Sequence, residues 1–404
     1  MATTQTVIEV GATNEEIKVQ LAASDGKHLL SDPGNHPAEH FKDQMSWLRF
    51  QTRQYLIRFT NNQSDFVYSL QQKHRTPSRD VYFKYTSLMG SHMFYVIVLP
   101  IPVWLGYLDL TRDMIYVLGY SIYLSGYLKD YWCLPRPRSP PVDRITLSEY
   151  TTKEYGAPSS HSANATAVSL LFFWRICLSD TLVWPRKLIL LSVVIFYYLT
   201  LVFGRVYCGM HGMLDLFSGA AVGAICFFIR IGVVHALRNF QSGEHLWFPF
   251  LSLVWGLFIL FNHVRPIDEC PCFKDSVAFI GVVSGLDCSD WLVERYGWNL
   301  ACSRYESCGL KVFLRPLVGV ASVVIWKDVI SKTAVYTLLV KLLRFHDDRD
   351  EKEHSHDKIP EEVECSTYVG VPNVEIIGRF LIYAGIPIIV FLLCPVFFTW
   401  TNLR

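Results

Sequence analysis

Apolar residues in this chain come in long blocks, and that pattern alone removes most folds. Leu88 to Leu108, Met114 to Leu128, Ser160 to Leu178, Leu188 to Phe203, Gly212 to Val234, Leu246 to Phe261, Val312 to Ile325 and Ile376 to Trp400 carry few charges. A helix crossing a bilayer needs about 20 mostly apolar residues, since its backbone must satisfy its own hydrogen bonds in hydrocarbon. A soluble chain of 404 residues would interleave its apolar residues with charge; here 51% hydrophobic and 18% charged residues are segregated instead. The expected fold class is an all-α polytopic membrane protein with eight or nine transmembrane helices. Val277 to Leu286 is too short to span alone and reads as half of a longer helix. Tyr336 to Leu343 either extends the span before it or lies on the surface. Pro100, Pro102, Pro387 and Pro395 are expected kinks, and Asp109 to Asp113 reads as a short polar turn. Gly212, Gly219 and Gly223 allow a close helix contact.

Three regions follow from this pattern. Residues 1–85 form a polar N-terminal region, with a disordered tail over the first thirty and an amphipathic surface helix from Phe41 to Gln72. Residues 86–236 form a transmembrane core that holds the informative polar clusters. Residues 237–404 form a C-terminal transmembrane region with a charged loop at 346–364. The first thirty residues have no apolar core, so the first span is expected to act as the targeting signal. Net charge of +1 argues against nucleic acid as a partner. Cys270-Pro-Cys272 is too tight for a zinc pair, Cys302 and Cys308 are a candidate disulfide, and His354 and His356 are weak metal candidates. The expectation is no cofactor and no metal. Oligomeric state stays open.

The polar clusters sit where helices meet water. Lys129 closes the second apolar block and Arg136-Pro137 follows it. Pro158-Ser159-Ser160-His161 opens the third. Arg205 closes the fourth; His211 and Asp215 open the fifth. Simple up-down threading returns all of these to one membrane face. Ser159 and Ser160 stand at a helix N-terminus, where unpaired N–H groups and the helix dipole favour an anion. Arg136 and Arg205 can each grip two phosphate oxygens and Lys129 adds a point charge. His211 and Asp215 share a helix face, so the carboxylate can hold Nδ1–H and leave Nε2 as a nucleophile. His161 can protonate the departing alkoxide and later activate water. All cations are side chains, so magnesium is not needed. Each residue also has a plain reading: headgroup anchors for Lys129 and Arg205, an N-cap for Ser159, an interfacial ring for His161. Asp215 resists one, because a carboxylate inside an apolar helix is costly unless paired. Arg144, Glu149, Lys153 and Glu154 read as solvated loop charges.

These clusters resemble the three-part signature of the lipid phosphate phosphatase superfamily, shared with vanadium haloperoxidases and glucose-6-phosphatase. Lys129, Arg136 and Pro137 match its first part. Pro158, Ser159 and His161 match the second, with Ser160 in place of glycine. Arg205, His211 and Asp215 match the third, with Gly204 in place of serine. The stretches DPGNHPAEHF, YTSLMGSHMFY, KDYWCLPRPRSPP, EYGAPSSHSANAT, FGRVYCGMHGMLDL and DSVAFIGVVSG further resemble fungal sphingoid long-chain base phosphate phosphatases and their animal sphingosine-1-phosphate counterparts. The resemblance implies a haloperoxidase-like helical core and hydrolysis of long-chain base 1-phosphates through a phosphohistidine, recycling bases toward ceramide. Lys129, Arg136, Ser159, Ser160 and Arg205 would bind phosphate; His211, His161 and Asp215 would be catalytic. A phosphotransferase of the same superfamily, or a transporter of phosphorylated amphiphiles, are the alternatives. The implied location is the endoplasmic reticulum membrane with a lumenal site. That puts Lys73, Arg75, Arg79 and Lys84 in the lumen, against the positive-inside tendency. Either the tail is lumenal, exposing Asn62 to glycosylation, or another segment crosses or re-enters before Leu88; the lumenal tail is favoured.

Overall fold

The computed structural model describes residues 32–297, 309–349 and 372–403, which are helical with connecting loops. The tail before residue 32, the Cys302–Cys308 pair, His354, His356 and most of the charged loop lie outside them.

The amphipathic helix expected over Phe41 to Gln72 is three pieces: α1 (Ala38–Lys42), α2 (Trp47–Ile57) and α3 (Gln63–His74). Asn62, at a left-handed φ of 62°, separates the last two. Their polarity is inverted. Arg49, Arg53, Gln63 and Gln71 are buried, while Trp47, Leu48, Tyr55 and Phe59 are exposed. The buried groups bind backbone of the polar loops. Arg53 donates to Gly34 O at 2.9 Å, Arg49 to Tyr131 O at 2.8 Å, and Gln71 to Tyr207 O at 3.0 Å. Apolar spacing alone could not reveal this, because the inward face carries amides and guanidinium groups.

The first expected span, Leu88 to Leu108, is also broken. α4 (Pro77–Thr86), α5 (His92–Val98) and α6 (Ile101–Trp104) make a bent run whose halves, 77–90 and 92–104, meet at 61°. The bend falls at Ser91, whose hydroxyl accepts from Phe94 N at 3.2 Å and starts α5 afresh. Next comes α7 (Leu108–Trp132), which absorbs the supposed turn at Asp109 to Asp113. Charges are tolerated there because other helices pair them: Arg175 and Arg230 bind Asp113, and Asp290 binds Arg112.

Then follow α8 (Ser160–Leu178), α9 (Trp184–Tyr207), α10 (Met213–Ala236), α11 (Trp247–Phe261) and α12 (Phe273–Tyr296). α12 supplies the longer helix of which Val277 to Leu286 is a part. α13 (Lys311–Val324) runs on through π-helical turns and α14 (Ser331–Thr337) to Leu342, so Tyr336 to Leu343 extends the span before it. α15 (Asn373–Ile388) continues through one more π turn into α16 (Cys394–Trp400). By length and composition, four described helices can cross a membrane: α9, α10, α12 and the Asn373–Trp400 run, or five if the bent pair is one span. The eight or nine expected also counted α7 and α8, whose ends are polar, and α11 and α13, which have only 15 and 14 residues.

α7, α8, α10, α12 and α15 pack around a shared core that includes Leu118, Leu171, Phe227, Phe279 and Val390. Glycine sets one decisive contact, as its spacing suggests. A Cβ on Gly219 would lie 2.4 Å from Ser159 O, and one on Gly223 would lie 2.1 Å from Ala163 O. Only bare backbone lets α10 approach α8 this closely, which brings the start of one beside the start of the other.

Candidate active site

α7 ends on Cys133 in a left-handed conformation (φ 49°), which turns the chain sharply into Leu134-Pro135-Arg136. Arg136 is then pinned on three sides. Its Nε donates to Glu154 O at 2.7 Å and Nη1 donates to Met210 O at 2.7 Å; Nη1 also lies 3.3 Å from His211 Nε2. An arginine can only donate, so Nε2 is the acceptor and the neutral ring carries its proton on Nδ1. That proton points at Asp215 Oδ2, 3.1 Å away. Oδ2 also accepts from Gly212 N at 3.0 Å, fixing the carboxylate at the mouth of α10. Ser159 N donates to Asp215 O at 2.8 Å and ties the second cluster to the third.

Arg136, Ser160, His161, Arg205 and His211 line one cavity of about 250 Å³, together with Glu154. Lys129 and Asp215 reach it indirectly, through Glu154 and His211. Ser159 departs from the expectation of a phosphate contact. It is fully buried, does not line the cavity, and its hydroxyl accepts from Ser162 N as the N-cap of α8. Gly204 stands where the resembled pattern has serine, and the fold supplies a reason: a Cβ there would lie 2.9 Å from the ring of Phe83.

Electrostatics favour an anion and a neutral nucleophile. Burial, then Arg136, Arg205 and Lys129, push His211 well below the usual histidine range. Burial also lowers Arg136, while Glu154 pulls it back up. Arg205 Nε is buried with no hydrogen-bond partner among the described residues.

Glu154 and Arg144 correct the view of solvated loop charges. Glu154 is largely buried and pairs with both Lys129 and Arg136. It occupies the groups that would grip phosphate. Arg144 makes a two-point bond to Asp32 at 3.0 and 2.6 Å. No sequence signal separated Glu154 from its loop neighbours. Among the described residues two donor sets have metal-ligand chemistry: His36, His40 and Asp268; and Asp130, Cys270 and Cys272. Both are already linked internally. His40 Nε2 is 2.8 Å from Asp268 Oδ1, and Cys272 Sγ is 3.1 Å from Asp130 Oδ1.

Residues 111–239, which contain all three clusters, match the PAP2 superfamily model. The Saccharomyces cerevisiae dihydrosphingosine 1-phosphate phosphatase YSR3 is 86% identical over 404 residues, covering 100% of both chains. The chain belongs to the PAP2 superfamily. A Schizosaccharomyces pombe dihydrosphingosine 1-phosphate phosphatase is 33% identical over 87% of this chain and 92% of its own. Human sphingosine-1-phosphate phosphatase 2 is 27% identical over 65% of this chain and 63% of its own. The fungal relatives bear out the resemblance drawn from the motif stretches. No solved structure matches this PAP2 protein.

Proposed function

We propose that this PAP2 protein hydrolyses sphingoid long-chain base 1-phosphates to free base and inorganic phosphate within the membrane. The observation that carries the reading is the hydrogen-bonded line Arg136–His211–Asp215 at a cation-rich cavity. Substrate phosphate displaces Glu154 and takes Arg136, Arg205 and Lys129 as its partners, with Ser160 and the α8 N-terminus beside it. His211 Nε2 then attacks phosphorus and the ester P–O bond breaks. His161 takes up a proton from water as the phosphate dianion arrives beside it and passes it to the departing alkoxide, and Asp215 stabilises the His211 ring as it gains positive charge. Water, deprotonated by the now neutral His161, attacks the phosphohistidine and releases phosphate. Cations fixed by α7, α9 and the loop at 133–148 meet the charge on the transferring group, the main requirement of phosphoryl transfer.

The proposed location is the endoplasmic reticulum membrane with the cavity facing the lumen. α2 and α3 bind backbone around the cavity, so the N-terminal segment would share the lumenal side with it. The test of the activity is phosphate release by the purified protein, with dihydrosphingosine 1-phosphate, phosphatidate and a polyprenyl phosphate side by side. The first should be cleaved fastest, and His211→Ala should release essentially none. Full activity in that variant would reject the phosphohistidine route. A lumenal N-terminal segment should accept glycan at the exposed Asn62. A glycosidase-sensitive gel shift, lost in Asn62→Gln, checks it.

A further inference from the structure

The cavity wall contains two carboxylates among the described residues, and they face different tasks. Glu154 sits on the phosphate-gripping cations. Asp275, in the first turn of α12, stands elsewhere on the wall. Its Oδ1 is buried, and its charged partner is His92, with Nδ1 at 3.3 Å. Arg379 and Lys129 also act on it through their charge. Arg379 Nε is bound to Lys274 O at 3.0 Å, and Lys129 is held by Glu154.

Its position relative to the chemistry follows from α5. Gly90 packs so tightly on His161 that a Cβ there would lie 2.3 Å from the ring's Cδ2. His92 is two residues further on and reaches Asp275. Asp275 and the His161 imidazole thus line one cavity, each against the short Gly90–His92 segment. In a long-chain base 1-phosphate, the carbon next to the one bearing the phosphate carries an ammonium group. In a simple alkyl phosphate or a phosphatidate that carbon carries no charge.

We propose that Asp275, steadied by His92, is an ammonium-binding subsite that selects phosphate esters with an amine beside the reacting group. This rests on His211 as nucleophile and His161 as acid. His92 reaches only Oδ1, and an ammonium in the cavity supplies both charge and N–H donors to the lone pairs left over. The same carboxylate disfavours a neutral, apolar group placed there.

The test uses the purified full chain with dihydrosphingosine 1-phosphate, its N-acetylated derivative and an alkyl phosphate of equal chain length. Wild type should prefer the amine. Asp275→Asn should lose roughly 30-fold or more in kcat/KM on the amine-bearing substrate, yet stay within about threefold on the alkyl phosphate, the factor left for small packing changes. Asp275→Glu should keep part of the preference. Equal losses on both substrates, or an unchanged preference, overturn the subsite. If Asp275→Asn does not fold, wild type decides alone: equal kcat/KM for the amine and its N-acetylated form overturns it. Wild type that cleaves other phosphate esters but not dihydrosphingosine 1-phosphate would overturn the functional reading itself, a distinct result.

Discussion

The two ends of α7 hold the same kinds of residue and use them differently. Near its start, Asp113 binds Arg175 and Arg230, Arg112 binds Asp290 at 2.7 Å, and Asp287 accepts from Tyr116 and from Ser252 at 2.5 Å. Those charges are closed within the bundle. Near its end, Lys129 and Arg136 share one carboxylate, Glu154, and Arg205 Nε has no hydrogen-bond partner among the described residues. Cavity size does not tell the ends apart. The larger cavity, about 740 Å³, borders the closed end, lined by Tyr116, Arg230 and Asp287. Buried charge in an apolar bundle is architecture when its groups are spent on one another; a cation with an unused N–H beside a neutral imidazole marks a site.

The sharpest way to break this contrast is to remove one residue from each end. His211→Ala should lower kcat by about a thousandfold or more, as loss of a nucleophile does, with thermal stability little changed. Asp113→Ala should do the reverse. It removes a buried carboxylate shared by the exposed Arg175 and the half-buried Arg230, at a cost of about 1–3 kcal/mol read in thermal unfolding, while kcat per folded molecule stays within about threefold because the site's cations are untouched. A large activity loss in folded Asp113→Ala would erase the distinction.

A second test keeps charge and changes shape. Arg205→Lys should cost roughly 10–100-fold in kcat/KM, since an ammonium cannot replace a two-point fork. Arg230→Lys at the closed end should be far milder in the same assay. A third concerns the stand-in anion. Glu154→Gln removes a competitor for the phosphate cations, so inorganic phosphate should inhibit more tightly, by about tenfold if one pKa unit of coupling is released. The smallest effect is in pH. His211 is held below the ordinary histidine range, so it stays neutral as pH falls past about 6.5. The acid limb of kcat/KM should therefore lie below that value, with activity lost only as the ring itself takes up a proton.

Particular residues show what could be read in advance. Lys129, Arg136, His161, Arg205, His211 and Asp215 were legible because their chemistry is rare in apolar surroundings and their spacing follows helix ends. Glu154 was not, since one carboxylate in a polar loop looks like any other until its partners are known. The inward guanidinium groups of α2 were hidden for the opposite reason: the apolar residues at helical spacing, Trp47 and Tyr55, face outward. The break at Ser91 was hidden because a capping serine inside an apolar block leaves hydropathy nearly unchanged.

What the sequence by itself determined is the class of molecule and which polar clusters gather at one cavity. Blocks of apolar residues force helices in a membrane, and up-down threading sends the polar clusters to one end. The tertiary structure alone decided which charges are spent on one another and which remain available. That division depends on distances between helices far apart in the chain: Asp113 to Arg230, Lys129 to Glu154, His92 to Asp275. Such distances are set by how side chains and bare glycine backbone pack across the bundle, and no spacing along one strand of sequence encodes them.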